Sequence, residues 1–243
     1  EGANLTTRIQ GPDIGALLRE FRLPPFSEGA FDYQLKLNTE GKITKLELDG
    51  DLGTVDIKAN GELDRLINPR DGNIQFSIDG PNLGALAKVF GIEGIVEDAF
   101  SHESHATFSD DAIQINKAIT KTDSDHLAIG GHFNTGAGFS GTELTVRFHS
   151  DEAGRWTTVL GQPQQALGPL DFDANLSSDS SGLMSITAKA MQGPTTLDVE
   201  GALGHLPDAL QPDLNIVFKS PDPSKLAAVA GLQRIPAAPL MIQ

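Results

Sequence analysis

The segment GPDIGALLREF at residues 11–21 has the sequence of a capped amphipathic helix, and related segments recur along the chain. They begin at Gly80 (GPNLGALAKVF), at Ser150 (SDEAGRWTTVL) and at Ser220 (SPDPSKLAAVA). The four starts are separated by 69, 70 and 70 residues. Regular spacing of this size is typical of repeat proteins, so we expect the chain to be an array of similar units.

Each of these segments begins with residues that favour the first turn of a helix. Pro12, Pro81 and Pro221 lack the N–H that would be unpaired at this position, and Asp or Asn follows each of them. The third segment has Asp151 and Glu152 instead. The positions six and ten residues after each start are four apart, so we expect them to share the helix face that packs on the protein. They are Leu17, Leu86, Trp156 and Leu226, and Phe21, Phe90, Leu160 and Ala230.

The apolar periodicity changes from 3.6 to 2 about twenty residues into each unit. In FDYQLKL, residues 31–37, apolar residues alternate with polar ones, as in a half-buried antiparallel strand. Three more alternating runs follow, joined by short turns such as NTEG at 38–41. We therefore predict a mainly β fold with short helices. It is an elongated antiparallel array in which each unit of about 70 residues contributes one helix and four strands.

The predicted array divides the chain into five parts. Residues 1–10 are the last strand of a preceding unit, 11–79 the first unit, 80–149 the second, 150–219 the third and 220–243 the start of a fourth. Because the chain begins without Met, we expect it to be part of a longer protein. Four antiparallel strands return the chain to the edge where it started, so we expect every helix along one edge of the sheet.

The predicted sheet has one apolar face that a single short helix per unit is too small to cover. About fourteen strands spaced by roughly 4.8 Å extend over about 65 Å. Because exposed apolar area costs on the order of 25 cal/mol per Å², the sheet must either curl into an apolar-lined groove or close around a filled core. Aliphatic and small residues on the face favour the groove, which has the size of a lipid. Gly61, Gly131 and Gly201 occupy corresponding third strands, where a missing side chain permits bending or the close approach of a guest.

The alternation defines a set of candidate lipid-binding residues that line this face. The set contains no catalytic residue and no metal ligand. Its members are Phe31, Tyr33, Leu35, Leu37, Leu46, Leu48, Val55, Ile57, Ile74, Phe76, Ile78, Phe100, Ile113, Ile115, Leu127, Ile129, Phe133, Leu144, Val146, Phe148, Leu170, Phe172, Leu176, Met184, Ile186, Leu197, Val199, Leu214, Ile216 and Phe218.

Composition and motifs argue against several other functions. The net charge of −15 repels phosphate backbones, so we expect no nucleic-acid partner. The chain has no cysteine, which removes disulfides and thiolate chemistry. The segment GAGFSG at 136–141 fits G-x-G-x-x-G but leads into a strand, so we interpret it as a hairpin turn. His102 and His105 are three apart on a strand and should face opposite sides. We expect no enzymatic activity, no cofactor and no bound metal.

The chain resembles the AsmA-like family of Gram-negative envelope proteins, which includes TamB- and YhdP-type members. The resemblance lies in the segment GPDIGALLREFRLPPFSEGAFDYQLKL, in the following ITKLELDGDLGTVDIKANGEL and in the recurrence at Gly80. The shared pattern of Gly, Pro and apolar positions covers essentially the full chain. The resemblance implies a repeating β-groove, or β-taco, in the periplasm, tethered to the inner membrane by a segment outside these 243 residues. It implies lipid transport without catalytic residues, in which phospholipids pass between the inner and outer membranes during outer-membrane biogenesis.

Two features depart from this family pattern. His102 and Ser104 replace apolar residues in the second unit, and the third unit lacks the Gly-Pro start. The sequence also leaves an alternative function open, a non-enzymatic scaffold for cell-envelope assembly with a filled β-roll core. Such a scaffold would dock outer-membrane proteins through exposed edge strands. The predicted partners are therefore a phospholipid or similar lipid, membranes at the ends of the full-length protein, and an outer-membrane protein.

Overall fold

The computed structural model describes residues 2–136, 139–161, 164, 166–205, 212–224 and 238–242, and this part of the chain is mainly β. Its residues form two compact units, Glu1–Asp123 and Ser124–Gln243. The predicted mainly β, antiparallel fold with short helices is confirmed. The division between the compact units falls inside the predicted second unit, 80–149, and the partition into units of about 70 residues stays a prediction.

Unit 1, Glu1–Asp123, contains seven strands and two α-helices. Each strand pairs antiparallel with the next one along the chain. The elements are β1 (Ala3–Gly11), α1 (Ile14–Glu20), β2 (Phe31–Glu40), β3 (Ile43–Leu52), β4 (Val55–Leu63), β5 (Asp71–Gly80), α2 (Leu83–Val89), β6 (Phe100–Ser109) and β7 (Ala112–Lys121).

The described part of unit 2, Ser124–Gln243, also contains seven strands in sequential antiparallel order, with one 3₁₀ helix. The helix predicted from Ser220 lies mostly outside the described residues, as do Leu226 and Ala230. The elements are β8 (Asp125–Asn134), β9 (Glu143–Ser150), the 3₁₀ helix η1 (Ala153–Leu160), β10 (Leu170–Ser178), β11 (Leu183–Gln192), β12 (Thr195–His205), β13 (Asp213–Ser220) and β14 (Leu240–Ile242).

The polar face of each unit carries cross-strand ion pairs. In unit 1 the Arg8 guanidinium donates hydrogen bonds to the Asp32 carboxylate and lowers the pKa of that carboxyl. In unit 2 Arg147 Nε lies 3.5 Å from Asp173 Oδ1. These side chains are exposed, so such pairs contribute little to stability; they favour the observed register because opposite charges face each other across the strands.

The helices of unit 1 cover the apolar face at one edge of the sheet. Ile14 and Leu18 of α1 form a buried cluster with Phe31 at the start of β2. Leu83 and Leu86 of α2 pack on a second cluster, whose buried members are Val55, Ile78 and Phe100. Because β4 and β6 start, and β5 ends, at the edge where β2 starts, both helices lie along the same edge of unit 1, as predicted. Full burial of each of these side chains contributes roughly 1.5–3 kcal/mol.

The predicted packing face of α1 is wrong. Phe21 is 69% exposed and Leu17 is 37% exposed, whereas Ile14 and Leu18 are buried. The helix ends at Glu20, and Phe21 is its C-cap with ψ near 4°, so it leaves the helix before completing the stripe. Phe90 occupies the same C-cap position of α2 and is 74% exposed. The predictions for Leu86 and Trp156 hold, since Leu86 packs on the second cluster and Trp156 contacts an aromatic ring of the sheet.

The helices α1, α2 and η1 are each attached at their start to the loop that returns the chain to the sheet. The N–H of Ile14 donates to the Gly29 carbonyl, and the N–H of Leu83 donates to the Asp98 carbonyl, both at 2.8 Å. The N–H of Ala153 donates to the Gly168 carbonyl at the same distance. One of the N–H groups left unpaired at a helix start is thereby satisfied each time. The side chain of Asn82 caps α2, whereas Asp13 makes no side-chain cap on α1.

The glycines of the third strands are required by the neighbouring strand. A Cβ on Gly131 would lie 2.1 Å from the Glu143 carbonyl oxygen, and one on Gly201 would lie 2.1 Å from that of Asp213. Both glycines have left-handed backbone angles, with φ of 127° and 147°. The missing side chain therefore accommodates the backbone of the adjacent strand, and the suggested approach of a guest does not explain it.

Replacing Gly131 by alanine should lower the free energy of unfolding by about 1–3 kcal/mol, because Ala is strained at this φ and its Cβ meets a fixed carbonyl. Urea unfolding followed by circular dichroism measures the change. The control is Gly130→Ala in the same strand, at a residue whose φ is outside the left-handed region. Equal losses in the two variants would contradict this account of Gly131.

Candidate functional site

The apolar side chains of unit 1 form rows that cross the strands on one face of the sheet, which we call face 1. Paired residues on antiparallel strands point to the same side, so the register defines each row. Leu35 lies opposite Leu48, Leu48 opposite Ala59, and Ala59 opposite Phe76. The strand alternation and register place all predicted residues of this unit on face 1, namely Phe31, Tyr33, Leu35, Leu37, Leu46, Leu48, Val55, Ile57, Ile74, Phe76, Ile78, Phe100, Ile113 and Ile115.

Unit 2 has the same arrangement on a surface that we call face 2. One row joins Phe148, Phe172, Ala190, Leu197 and Phe218 across five strands. The alternation and register again bring the predicted residues of the unit to one face. They are Leu127, Ile129, Phe133, Leu144, Val146, Phe148, Leu170, Phe172, Leu176, Met184, Ile186, Leu197, Val199, Leu214, Ile216 and Phe218.

Several alanines complete face 2 in addition to the predicted site residues. Ala174 and Ala188 are opposite each other and are 3% and 8% exposed. Ala190 follows two residues later on the same side of β11. The alternation itself was the available signal, because Ala174 lies between Phe172 and Leu176 in the predicted strand.

Exposure varies along the apolar faces, and burial is not confined to the residues next to the helices, since Leu63 at the other end of β4 is also buried. Val55, next to α2, is 2% exposed, and Phe31, next to α1, is 7% exposed. Farther along the same strands Leu35 is only half-buried, and on face 2 Ile216 is 46% exposed. The helices therefore leave part of each apolar face accessible to a ligand.

Strand β6 interrupts the apolar rows of face 1 with polar groups. His102 lies opposite Ile78 and Ser104 lies opposite Phe76. The His102 Nδ1 is 2.9 Å from the Thr120 hydroxyl, and its ring lies 6.1 Å from the ring of Phe76. Burial lowers the pKa of His102, which favours the neutral imidazole. The polar break that the sequence indicates is therefore on face 1 itself.

Face 2 contains a cavity of about 280 Å³ beneath η1, which we call the roofed pocket. Helix η1 and Leu167 form its roof, and strands β10 to β13 form its floor. The roof residues are Ala153, Trp156, Thr157 and Leu167, and the floor residues are Leu170, Ala190, Gln192, Thr195, Leu197 and Phe218. The sequence pattern does not predict this cavity.

The roof is held in place by contacts of Trp156. Its indole N–H donates to Asp125 Oδ1 at 3.0 Å, and its ring meets Phe148 edge-on with 5.3 Å between the ring centres. Arg155 Nη1 lies 3.8 Å from the second oxygen of the same carboxylate, which is almost completely buried. This arrangement satisfies a buried negative charge and fixes the plane of the indole ring.

The Glu152 carboxylate ties the return loop to the start of η1. Its Oε1 accepts hydrogen bonds from the backbone N–H groups of Leu167, Gly168 and Gly154, at 2.7, 2.9 and 3.1 Å. The bonds from Leu167 and Gly168 are the main reason that the pKa of Glu152 is lowered. Because Leu167 belongs to the roof, the charge of Glu152 supports the shape of the roofed pocket.

Comparison of the chain with protein-family models, with curated proteins and with solved structures found no match in any of the three. The resemblance to the AsmA-like family therefore stays a prediction. None of the helices in the described ranges is long and apolar enough to cross a membrane. The described residues also contain no group of three His, Cys, Asp or Glu side chains placed to hold a metal ion.

Replacing Glu152 by glutamine should destabilise unit 2 at neutral pH, because a neutral amide accepts the three backbone hydrogen bonds less strongly. A carboxyl whose pKa is lowered by folding stabilises the protein above its unfolded pKa, and that contribution is lost as the pH falls through the folded pKa. The difference in melting temperature between wild type and variant should therefore be largest at neutral pH and should shrink in acid.

Thermal unfolding at a series of pH values measures this difference. Glu143→Gln is the control, since Glu143 is an exposed carboxylate on the polar face of β9. A difference for Glu152→Gln that stays constant from neutral to acidic pH would contradict the role of the charge.

Proposed function

We propose that this chain is a segment of a lipid-transfer protein that holds acyl chains of phospholipids on its apolar sheet faces. The observation that carries the proposal is the alignment of apolar side chains in rows that cross successive strands. In the row of Leu35, Leu48, Ala59 and Phe76, Ala59 is buried and the other three side chains stay partly accessible. A surface of this kind takes hydrocarbon in place of water, and it needs no catalytic group.

The proposed mechanism is diffusion of the acyl chain along similar apolar surroundings. Moving from one row to the next exchanges one set of aliphatic contacts for another, so the free energy changes little. Leaving for water costs about 0.8 kcal/mol per CH₂. The rows therefore favour movement along the protein over release, while the headgroup stays outside the apolar surface.

The finer parts of the proposal come from the sequence. We propose that units of about 70 residues continue the apolar surface as a curled groove, as in the AsmA-like proteins that the chain resembles. In this proposal the protein acts in the periplasm, is tethered to the inner membrane by a segment outside the 243 residues, and passes phospholipids between the two membranes. It is not an enzyme. His102 and Ser104 mark the place where the apolar path on face 1 changes character.

A photoreactive amino acid at Leu48 should crosslink to phospholipid, and Leu35→Asp should abolish the crosslink. The aspartate lies directly opposite Leu48 and places a charge among the apolar rows, which disfavours hydrocarbon there. Mass spectrometry of the crosslinked protein and of gently purified wild type identifies the lipid.

The matched control is Gln34→Asp, which adds the same charge to the exposed polar face of the same strand. Circular dichroism and urea unfolding show whether each variant keeps its fold. Undiminished crosslinking in folded Leu35→Asp, or no lipid on any folded preparation, would overturn the proposal. The absence of lipid, together with capture of outer-membrane proteins, would favour the scaffold with a filled core.

A further inference from the structure

We propose that the roofed pocket of unit 2 is a distinct binding site for the methyl end of a single acyl chain, with Trp156 as one wall. The choice of ligand rests on the proposed function, but the site is different in kind. The open rows provide similar surroundings at many positions, whereas the roofed pocket has walls on the helix side and the strand side. A chain end that enters it is therefore held in one place.

The polar groups of the lining are already hydrogen-bonded within the protein, so they do not attract a polar ligand and the pocket favours hydrocarbon. Thr195 Oγ1 lies 2.9 Å from the Ser220 hydroxyl, and Gln192 Nε2 donates to the Leu167 carbonyl at 3.0 Å. The Thr157 hydroxyl donates to the Gly154 carbonyl at 2.7 Å. A ligand headgroup that enters would lose its hydration and would compete for groups that are already bonded.

What remains for a ligand is apolar surface. The Trp156 ring closes one side, and Leu170, Leu197 and Phe218 form the strand side. The volume of about 280 Å³ is near the lower end of small-molecule sites, which are commonly about 300–1,000 Å³. This is room for the end of one chain and excludes a whole two-chain lipid.

Two small side chains create this space. Ala153 lines the pocket from η1 and Ala190 lines it from β11. A large apolar residue at Ala190 would occupy the cavity without introducing a charge. The wall opposite is fixed before a ligand arrives, because Trp156 is bonded to Asp125 and packed on Phe148. The pocket is thus largely pre-formed, which reduces the cost of ordering it on binding.

The fluorescence of Trp156 reports on this pocket directly, because it is the only tryptophan of the chain. Bromine quenches indole fluorescence at short range, so the extent of quenching shows which end of a bound brominated fatty acid lies near Trp156. We would titrate the full chain with two fatty acids of equal length, one brominated next to the methyl end and one brominated next to the carboxylate. The methyl-end probe should quench more strongly at equal occupancy, and Ala190→Phe should abolish that quenching.

Thr187→Phe is the matched control, since it adds the same ring to the exposed polar face of β11. It should leave the quenching unchanged. Equal quenching by the two probes, stronger quenching by the carboxylate-end probe, or full quenching in a folded Ala190→Phe variant would overturn the proposal. If Ala190→Phe does not fold, the comparison of the two probes on the unaltered chain still decides.

The outcome is separable from that of the proposed function. Lipid crosslinking at Leu48 in unit 1 does not depend on the roofed pocket and should persist in Ala190→Phe. Crosslinking at Leu48 without position-dependent quenching of Trp156 would overturn the pocket alone. Loss of both the crosslink at Leu48 and the quenching of Trp156 in folded protein would overturn lipid binding as a whole.

Discussion

The structure depends on the register between antiparallel strands, which are eight to eleven residues long except for the three-residue β14. Residues that face each other across such a pair point to the same side, so Leu35, Leu48 and Phe76 reach one surface from three different strands. A slip by one residue would exchange apolar and charged side chains along a whole strand. The cross-strand pairs of opposite charge on the polar face, such as Arg8 with Asp32, disfavour that slip from the other side.

A change in register changes which residues lie on each face of the sheet. The pairing of β6 with β7 shifts between His105 and Ala106, which leaves Asn116 as the extra residue. Beyond the bulge Ile119 lies opposite Glu103 on the polar side, whereas Ala118 and Thr120 join face 1. This bulge and the polar residues of β6 occur together, and they make one end of face 1 less apolar than the rest.

The apolar faces serve as both core and candidate site, because some of their side chains are buried and others stay partly exposed. Next to α1 and α2 the side chains are buried and stabilise the fold, as Leu63 does at the other end of β4, whereas half-buried members such as Leu35 are available to hydrocarbon. The same hydrophobic free energy acts in both places. A substitution on these faces therefore affects stability and binding together, and the two can be separated only when folding is measured alongside.

Sequence periodicity was sufficient to predict the strands and the side to which the candidate site residues point, but not the bulge that turns Ile119 to the polar side. It was not sufficient for the helices, whose packing depends on where a short helix ends. The stripe predicted through Leu17 and Phe21 is wrong: Phe21 lies beyond the end of α1 at Glu20, and Ile14 and Leu18 make the contacts instead of Leu17. The third-strand glycines were correctly singled out, but the neighbouring backbone and not a guest explains Gly131 and Gly201.

The amino-acid sequence by itself determined the mainly β fold, the alternation of the strands and the large apolar members of the two faces. These are local properties, since the residues of each strand alternate with a period of two and short turns connect neighbouring strands. Only the tertiary structure decided the roofed pocket. Trp156 meets Asp125 across 31 residues of chain, and the pocket needs η1, its return loop and four strands together. No sequence period encodes such contacts, because they depend on the path by which the chain returns to its own sheet.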